Sequence, residues 1–237
     1  MEKDIVVVGV ISSAREGSNS AVMVREALKG AAALGAKAEE IYLPGLKIEF
    51  CRGCLTCMQR GRCFMDDDFR AVRERLYNAD GIIWGSPAYA GAPNAIMKNV
   101  IDRLGMYEVS TSSLGGKYMA GISAANSAGA AKKVAKGLSR FGSGGTFLRS
   151  YSSGFLGESF SGGRKAVEDE KTLLRARRLG EKLTQDIRTG RRYALQSIFS
   201  RAISSLIMRP AFRRYIISNR DGDAKMLYNS LSERGLI

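Results

Sequence analysis

The chain contains no histidine among its 237 residues. Imidazole is the side chain that titrates near neutral pH and the commonest metal ligand, so the usual general base is missing. Serine-hydrolase and metallohydrolase chemistry are disfavoured on that ground. No apolar run approaches the roughly 20 residues that cross a bilayer. The run Ile5-Val-Val-Val-Gly-Val-Ile11 has a mixed Glu2-Lys3-Asp4 flank and no convincing leader cleavage site, and it reads as a buried strand. A reducing, cytoplasmic location is therefore expected. There are no internal repeats and no low-complexity tracts. Acidic residues are scarce, with 23 Asp and Glu against 37 Lys and Arg and a net charge of +14. Such a surface suits nucleic acid, an anionic membrane, or acidic and phosphate-bearing partners, and equally a soluble protein whose charge has no dedicated role.

Cysteine is also sparse, but its four copies are clustered. Cys51, Cys54, Cys57 and Cys63 form the pattern C-x2-C-x2-C-x5-C. A chain of this length buries a full core without disulfide staples. Structural zinc sites use four thiolates as two well-separated pairs. Three thiolates two residues apart wrap three corners of an iron–sulfur cube, and a fourth closes the cage. Two-cluster ferredoxins send the fourth cysteine to the other cluster and follow it with proline, whereas Phe64 follows Cys63 here. All four would then serve one [4Fe–4S] cluster. Zinc and unmetallated thiols stay open as alternatives.

Apolar periodicity alternates between strand and helix along the first 190 residues. Strands are expected over Ile5–Ile11, Lys37–Leu43, Gly81–Gly85 (broken by Ser86-Pro87), Lys117–Ser123 and Gly145–Tyr151. Helices are expected over Ala21–Leu34, from an Asp66-Asp67-Asp68 cap through about Asn78, from Pro93 to about Gly105, over Gly129–Phe141, and over Lys165–Arg188. This is an α/β chain with a five-stranded, doubly wound parallel sheet of the flavodoxin-like type, order 2-1-3-4-5. Residues 1–190 form that domain, with the cysteine-rich loop 51–63 inserted after the second strand. Residues 191–237 form a basic helical extension. There Leu195, Ile198, Phe199, Ile203, Leu206 and Ile207 repeat at helical spacing, Pro210 interrupts, Ala211–Ile217 is apolar and basic, and a last helix covers Ala224–Glu233. Basic residues do not form a continuous stripe opposite the apolar face, so packing against the sheet or a neighbouring subunit is preferred to lipid docking, and an oligomer fits an extension too small for a core of its own.

Ligands of such sheets sit at the strand C-termini near the switch point. Three loops fall there. Ser12–Ser20 combines small hydroxyls, one arginine and a helix start, as a monophosphate cradle needs, and it lacks both the Walker ending and G-x-G-x-x-G. Gly85–Pro93 carries two prolines and two glycines in an irregular backbone, and Ser123–Gly129 is small-residue throughout.

Ser13-x-Arg15-x-x-Ser18-Asn19-Ser20, Gly85-Ser-Pro-Ala-Tyr89, Lys98 and Ile101-Asp102-Arg103 resemble the NAD(P)H-dependent FMN reductase-like flavoproteins. With the cysteine loop and Asp67-Asp68, the chain resembles their iron–sulfur flavoprotein branch over about residues 4–188. The resemblance implies that Ser13, Arg15, Ser18, Asn19 and Ser20 hold the FMN phosphate. It implies that Pro87, Ala88, Tyr89 and Ala90 line the flavin ring, with Ser123, Asn126 and Gly129 on its other side. The first loop departs from the family's Gly-Ser-Pro-Arg, and the third lacks its paired glycines.

The expectation is an FMN-dependent oxidoreductase that passes electrons between FMN and a [4Fe–4S] cluster to a small-molecule or protein acceptor. The flavin carries the hard chemistry, so no catalytic side chain is assigned and NAD(P)H is a candidate substrate. Arg52, Arg60 and Arg62 would stabilise added electrons on a cluster if they fold inward, and are otherwise solvated charge. An acidic carrier such as a ferredoxin or flavodoxin is the expected partner. A homo-oligomer, dimer or tetramer, is expected, a nucleic-acid partner is not, and a membrane surface is disfavoured. The rival readings are a cluster-free NAD(P)H-dependent FMN or quinone/nitro reductase, and a basic nucleic-acid or membrane-binding module.

Overall fold

The computed structural model describes residues 4–237 other than 144, 195 and 197. Strand β1 (Val6–Ile11) is a β-branched run buried from Val7 onward. Helix α1 (Asn19–Ala33) starts where Ser18 accepts a hydrogen bond from the Ala21 amide. Then come β2 (Lys37–Tyr42), the short α2 (Thr56–Arg60) within the cysteine loop, and α3 (Phe69–Asn78). Strand β3 (Gly81–Tyr89) is followed by β4 (Ala92–Pro93), α4 (Ala95–Thr111), β5 (Tyr118–Ala125), α5 (Ala128–Ser139), β6 (Tyr151–Ser159) and α6 (Glu170–Arg188). The tail contributes α7 (Ile198–Ile203), α8 (Arg209–Ser218) and α9 (Lys225–Glu233).

The main strands pair in parallel in the order β2-β1-β3-β5-β6, with β4 paired antiparallel to β3 outside this path. Leaving out the two-residue β4, this is the expected 2-1-3-4-5 order. Alternating strand residues feed two cores. Val7, Ile11, Ile83 and Ile122 pack under α1 and α6, while Val8, Val10, Ile82 and Trp84 pack under α3, α4 and α5. Helices α1 and α6 meet through glycine. A Cβ on Gly180 would stand 1.8 Å from the Ala27 carbonyl oxygen, and one on Gly30 would stand 2.1 Å from that of Arg177.

Several boundaries differ from the periodicity. Strand β3 runs through Ser86-Pro87, because the β1 ladder stops at Gly85 and Pro87 lies beyond it, beside Ala124 of β5. Pro93 does not open α4. It pairs with Ala88, and Asn94 caps the helix by accepting from the Met97 amide. The same helix passes Gly105 to reach Thr111, since Leu104 and Tyr107 on either side of that glycine are both buried. The sixth strand begins at Tyr151, where the expected one ends. Its sequence YSSGFLGES is polar and glycine-bearing, and a Cβ on Gly157 would meet the α5 backbone at 2.5 Å. The aspartate run does not cap α3 by way of Asp68, whose carboxylate takes the Lys47 amide instead.

Pro210 does not break the tail. A π-helical turn over Ser204–Met208 joins α7 to α8, with Ile203, Met208 and Arg209 all in the right-handed helical region. A widened turn relieves the clash that proline makes with the preceding carbonyl. Leu195, expected to open the apolar repeat, lies outside the described residues. Among the described residues, Gln196 bonds in both directions to Ser152 of the edge strand β6, and α8 and α9 pack beyond the sheet. Ile216, Ala224, Leu227 and Leu231 cluster with Phe147, and Met58 from α2 packs against them. Among the described residues no helix is long and apolar enough to cross a membrane.

At the end of α4, Glu108 is 2 % exposed and both carboxylate oxygens accept from the Leu114 amide at 2.9 Å. Burial pushes its carboxyl up to about 7 against hydrogen bonding and the nearby Arg234 and Lys117 charges, which pull the other way. The fold keeps this proton where the unfolded chain has released it, so stability falls as pH rises from about 4.5 to about 7. The contribution is up to about 3 kcal/mol. Urea midpoints at pH 5 and 8 should diverge less in Glu108→Gln than in the parent, and parallel pH profiles would refute this. In the α1–α6 contact, Gly180→Ala should cost about 2–3 kcal/mol by overpacking. Gly137→Ala, on the exposed face of α5 where nothing lies within 4 Å, should gain about 0.5–1 kcal/mol, both read by denaturant unfolding.

Candidate flavin and cysteine sites

The loop between β1 and α1 is fixed by its carbonyls. Asn94 Nδ2 donates to Ser12 O at 2.7 Å, and the Tyr42 hydroxyl donates to Ala14 O at 3.0 Å. The Ser18 amide donates to Arg15 O, and Arg25 donates to Glu16 O at 2.7 Å. With these oxygens occupied by the fold, this loop presents to the cleft the Ser13, Ser18 and Ser20 hydroxyls, the Asn19 amide and the Arg15 guanidinium. Asn19 Oδ1 is itself taken by the Ala166 amide at 2.8 Å, so its NH2 is the end left to donate. A set of donors at a helix N-terminus, with one arginine, fits an anion. Among the described residues no acidic side chain lines this cleft.

The facing wall is the hairpin β3–β4. Its two-residue turn, Ala90-Gly91, has positive φ at both positions, +49° and +74°. Positive φ at both central residues is the hairpin pattern that matches strand twist, and the alanine bears the strain of it. The turn leaves Tyr89 58 % exposed at the rim. Ser13, Arg15, Ser18, Asn19, Ser20, Pro87, Ala88, Tyr89 and Asn126 all line one cleft. Its volume of about 160 Å³ falls short of the roughly 300–1,000 Å³ of an enclosing ligand pocket. A ligand of FMN's size would therefore lie partly in the open. The structure places three expected residues elsewhere. Ala90 is in the hairpin turn, Gly129 is exposed in the first turn of α5, and Ser123 is wholly buried in β5 with no partner for its hydroxyl. Ala124, Ala125 and Phe160 line the cleft instead. Phe160 follows β6, so placing that strand too early hid it.

Helix α4 connects this cleft to the cysteines. Its cap, Asn94, bonds Ser12 and Ser86 of the two cleft loops. About 8 Å further along the axis, at 1.5 Å per residue, Asn99 donates to Ile48 O and Glu49 O and accepts from the Cys51 amide at 3.3 Å. One turn beyond, Arg103 donates to both oxygens of Asp67 at 2.7 and 3.0 Å, to Glu49 O at 2.7 Å and to Cys63 Sγ at 3.5 Å. Its guanidinium lies 4.4 Å from the Phe69 ring centroid. The Arg103 and Asp67 side chains are 1 % and 3 % exposed. Burial opposes the charge on Asp67, yet Arg103 and the Glu49 amide hold its carboxyl below the usual range.

The cysteine loop is wound by positive φ at Gly53, Leu55 and Gly61. Cys51 and Cys54 are exposed, Cys57 and Cys63 half-buried, and all four are free thiols. Burial, then the thiols of Cys63, Cys51 and Cys54, push the Cys57 thiol up, so each of the other three lies within electrostatic reach of Cys57. The Thr56 hydroxyl, 3.3 Å from Cys54 Sγ, lowers that thiol. Among the described residues no three His, Cys, Asp or Glu side chains are disposed to hold one metal ion. An iron–sulfur cube makes a different demand, one thiolate per iron corner, and four thiols on a single loop fit that donor set. The hollow beside Cys63 is lined by Arg60, Arg62, Arg70, Arg73 and Arg103. Arg103, named in the sequence only as part of a helix motif, is the arginine that reaches a cysteine sulfur.

Removing Arg103 strands a buried carboxylate, which typically costs about 3–5 kcal/mol. Arg103→Ala should lose stability on that scale. Arg103→Leu/Asp67→Leu should lose less than the sum of its two single variants, and additive losses in urea unfolding would refute the clamp.

The family described as NADPH-dependent FMN reductase matches residues 5–152. An iron-sulfur flavoprotein of Methanocaldococcus jannaschii is 38 % identical over 97 residues, 41 % of this chain and 50 % of that protein. One from Archaeoglobus fulgidus is 32 % identical over 133 residues, 56 % and 60 % of the two chains. The matched part thus spans only half to three-fifths of these relatives. The NAD(P)H:quinone oxidoreductase from Methanothermobacter marburgensis superposes with a TM-score of 0.60 at 16 % identity, covering 76 % of this chain and 96 % of the other, a likeness of fold.

Proposed function

This chain belongs to the NADPH-dependent FMN reductase family, and from that premise we propose that it is an FMN-dependent oxidoreductase whose four-cysteine loop holds a [4Fe–4S] cluster. The observation that carries the reading is the donor-lined cleft beside the strained Ala90-Gly91 hairpin. Bound there, FMN would supply two-electron chemistry and the cluster single-electron steps. Ser13, Ser18, Ser20, Asn19 and Arg15 would hold the phosphate, and Pro87, Ala88 and Tyr89 would line the ring. Cys51, Cys54, Cys57 and Cys63 would ligate the cluster, with Arg103 donating to the Cys63 sulfur.

The acceptor follows from charge. A net charge of +14 favours an acidic electron-carrier protein through long-range steering. NAD(P)H is the small-molecule donor consistent with the family. A second reading, a reductase with no cluster, draws on the exposure of Cys51 and Cys54 as free thiols.

Anaerobic purification with absorption spectra and with iron, sulfide and FMN analysis separates these readings. Bound FMN with iron and sulfide supports the two-centre protein, and FMN alone supports the second reading. If neither is retained, both fail. Cys57→Ala should lose iron and sulfide while keeping FMN. Arg15→Ala should weaken FMN about 10- to 100-fold, the worth of one charge-assisted hydrogen bond at roughly 1.5–3 kcal/mol.

A further inference from the structure

The tail presents a helix that the fold barely covers. From Ile198 to Ser218 the backbone is helical throughout, about 31 Å long at 1.5 Å per residue. It rests on the body along one stripe. Ile216 is buried, Phe212 and Ser204 are half-buried, and the Ser204 hydroxyl and Arg209 both donate to backbone carbonyls of the 146–147 segment. The opposite side is apolar. Ile203, Leu206, Ile207 and Ile217, at helical spacing, are 57 %, 77 %, 63 % and 37 % exposed. Basic residues share this helix and its flanks. Residues 191–220 contain seven arginines and no aspartate or glutamate.

An exposed apolar ridge of this kind marks a binding surface. Two occupants are the natural choices, a second copy of the chain or an anionic bilayer. A two-fold contact between copies would set this arginine-rich helix against itself in a molecule of net charge +14, and like charges repel across such an interface. A bilayer rich in anionic headgroups supplies the missing negative charge and also takes up the isoleucine and leucine side chains. The arginine stems can lie along the apolar surface with their guanidinium groups at the headgroups. We infer that the Ile198–Ser218 helix is an interfacial anchor that lays its Ile203–Ile217 ridge on an anionic membrane surface. This replaces the expectation of a tail wholly engaged in protein packing, and it stands independently of the cofactor reading.

The test is co-sedimentation of the purified full chain with vesicles of phosphatidylcholine, with or without about 30 % phosphatidylglycerol, at low and physiological salt. Binding to the anionic vesicles should exceed binding to neutral ones at least about tenfold and weaken with salt. Leu206→Glu/Ile207→Glu should abolish it and Arg213→Ala/Arg214→Ala should reduce it, while Val167→Glu, an exposed apolar site off the helix, should leave it unchanged. Circular dichroism identifies any variant that fails to fold, and the arginine pair tests the proposal separately. Equal binding to both vesicle types, or binding indifferent to Leu206→Glu/Ile207→Glu, would overturn the inference. So would a dimer in light scattering that the same pair splits while vesicles are ignored.

Discussion

The Asn94 carboxamide joins three separate pieces of chain. It donates to the Ser12 carbonyl beyond β1, accepts from the Ser86 hydroxyl near the end of β3, and caps α4 through the Met97 amide. The residue is 6 % exposed, so each of these bonds is made away from water, where a lost partner is costly. Because parallel strands share no hairpin, the loops leaving β1 and β3 have no covalent reason to stay in register. Asn94 reinforces the register that the Ser12 amide and hydroxyl make with the Gly85 carbonyl at the switch point, where the cleft opens. It also starts the helix whose next turns reach Cys51, Asp67 and Cys63, so the spacing between cleft and cysteine loop is set by helical rise.

Much of this was legible in the chain. A β-branched run and a serine N-cap announce β1 and α1, and the hydroxyls and arginine of Ser13–Ser20 line one cleft. What escaped depends on partners distant in sequence. Strand β6 has the composition of a turn because Gly157 lies against the α5 backbone and Gly154 against Leu179 of α6, and periodicity cannot see either approach. Pro93 looks like a helix opener until Ala88 is placed opposite it. Arg103 looks like a surface charge on a helix until Asp67, 36 residues away, folds over it.

Electrostatics divide along the molecule. At the cleft, carbonyl oxygens are occupied by the fold and donors remain, which favours an anion. Around Cys63, arginines crowd a hollow where four thiolates would bring negative charge. Arg103 and Asp67 are the exception, a buried pair supported by the Glu49 carbonyl and amide and by the Phe69 ring, with Arg103 Nε left as a buried donor without a partner.

Met58 sits between two of the cysteines in sequence, yet its side chain belongs to the small core formed by Ile216, Leu227 and Leu231. The cysteine loop and the tail thus share one small core. By reciprocity, any group whose binding rigidifies α2 strengthens the seating of the tail, and by the same free energy anything that pulls on the tail alters affinity at the loop. A five-residue helix with one methionine turned outward is enough to make the two sites thermodynamically aware of each other.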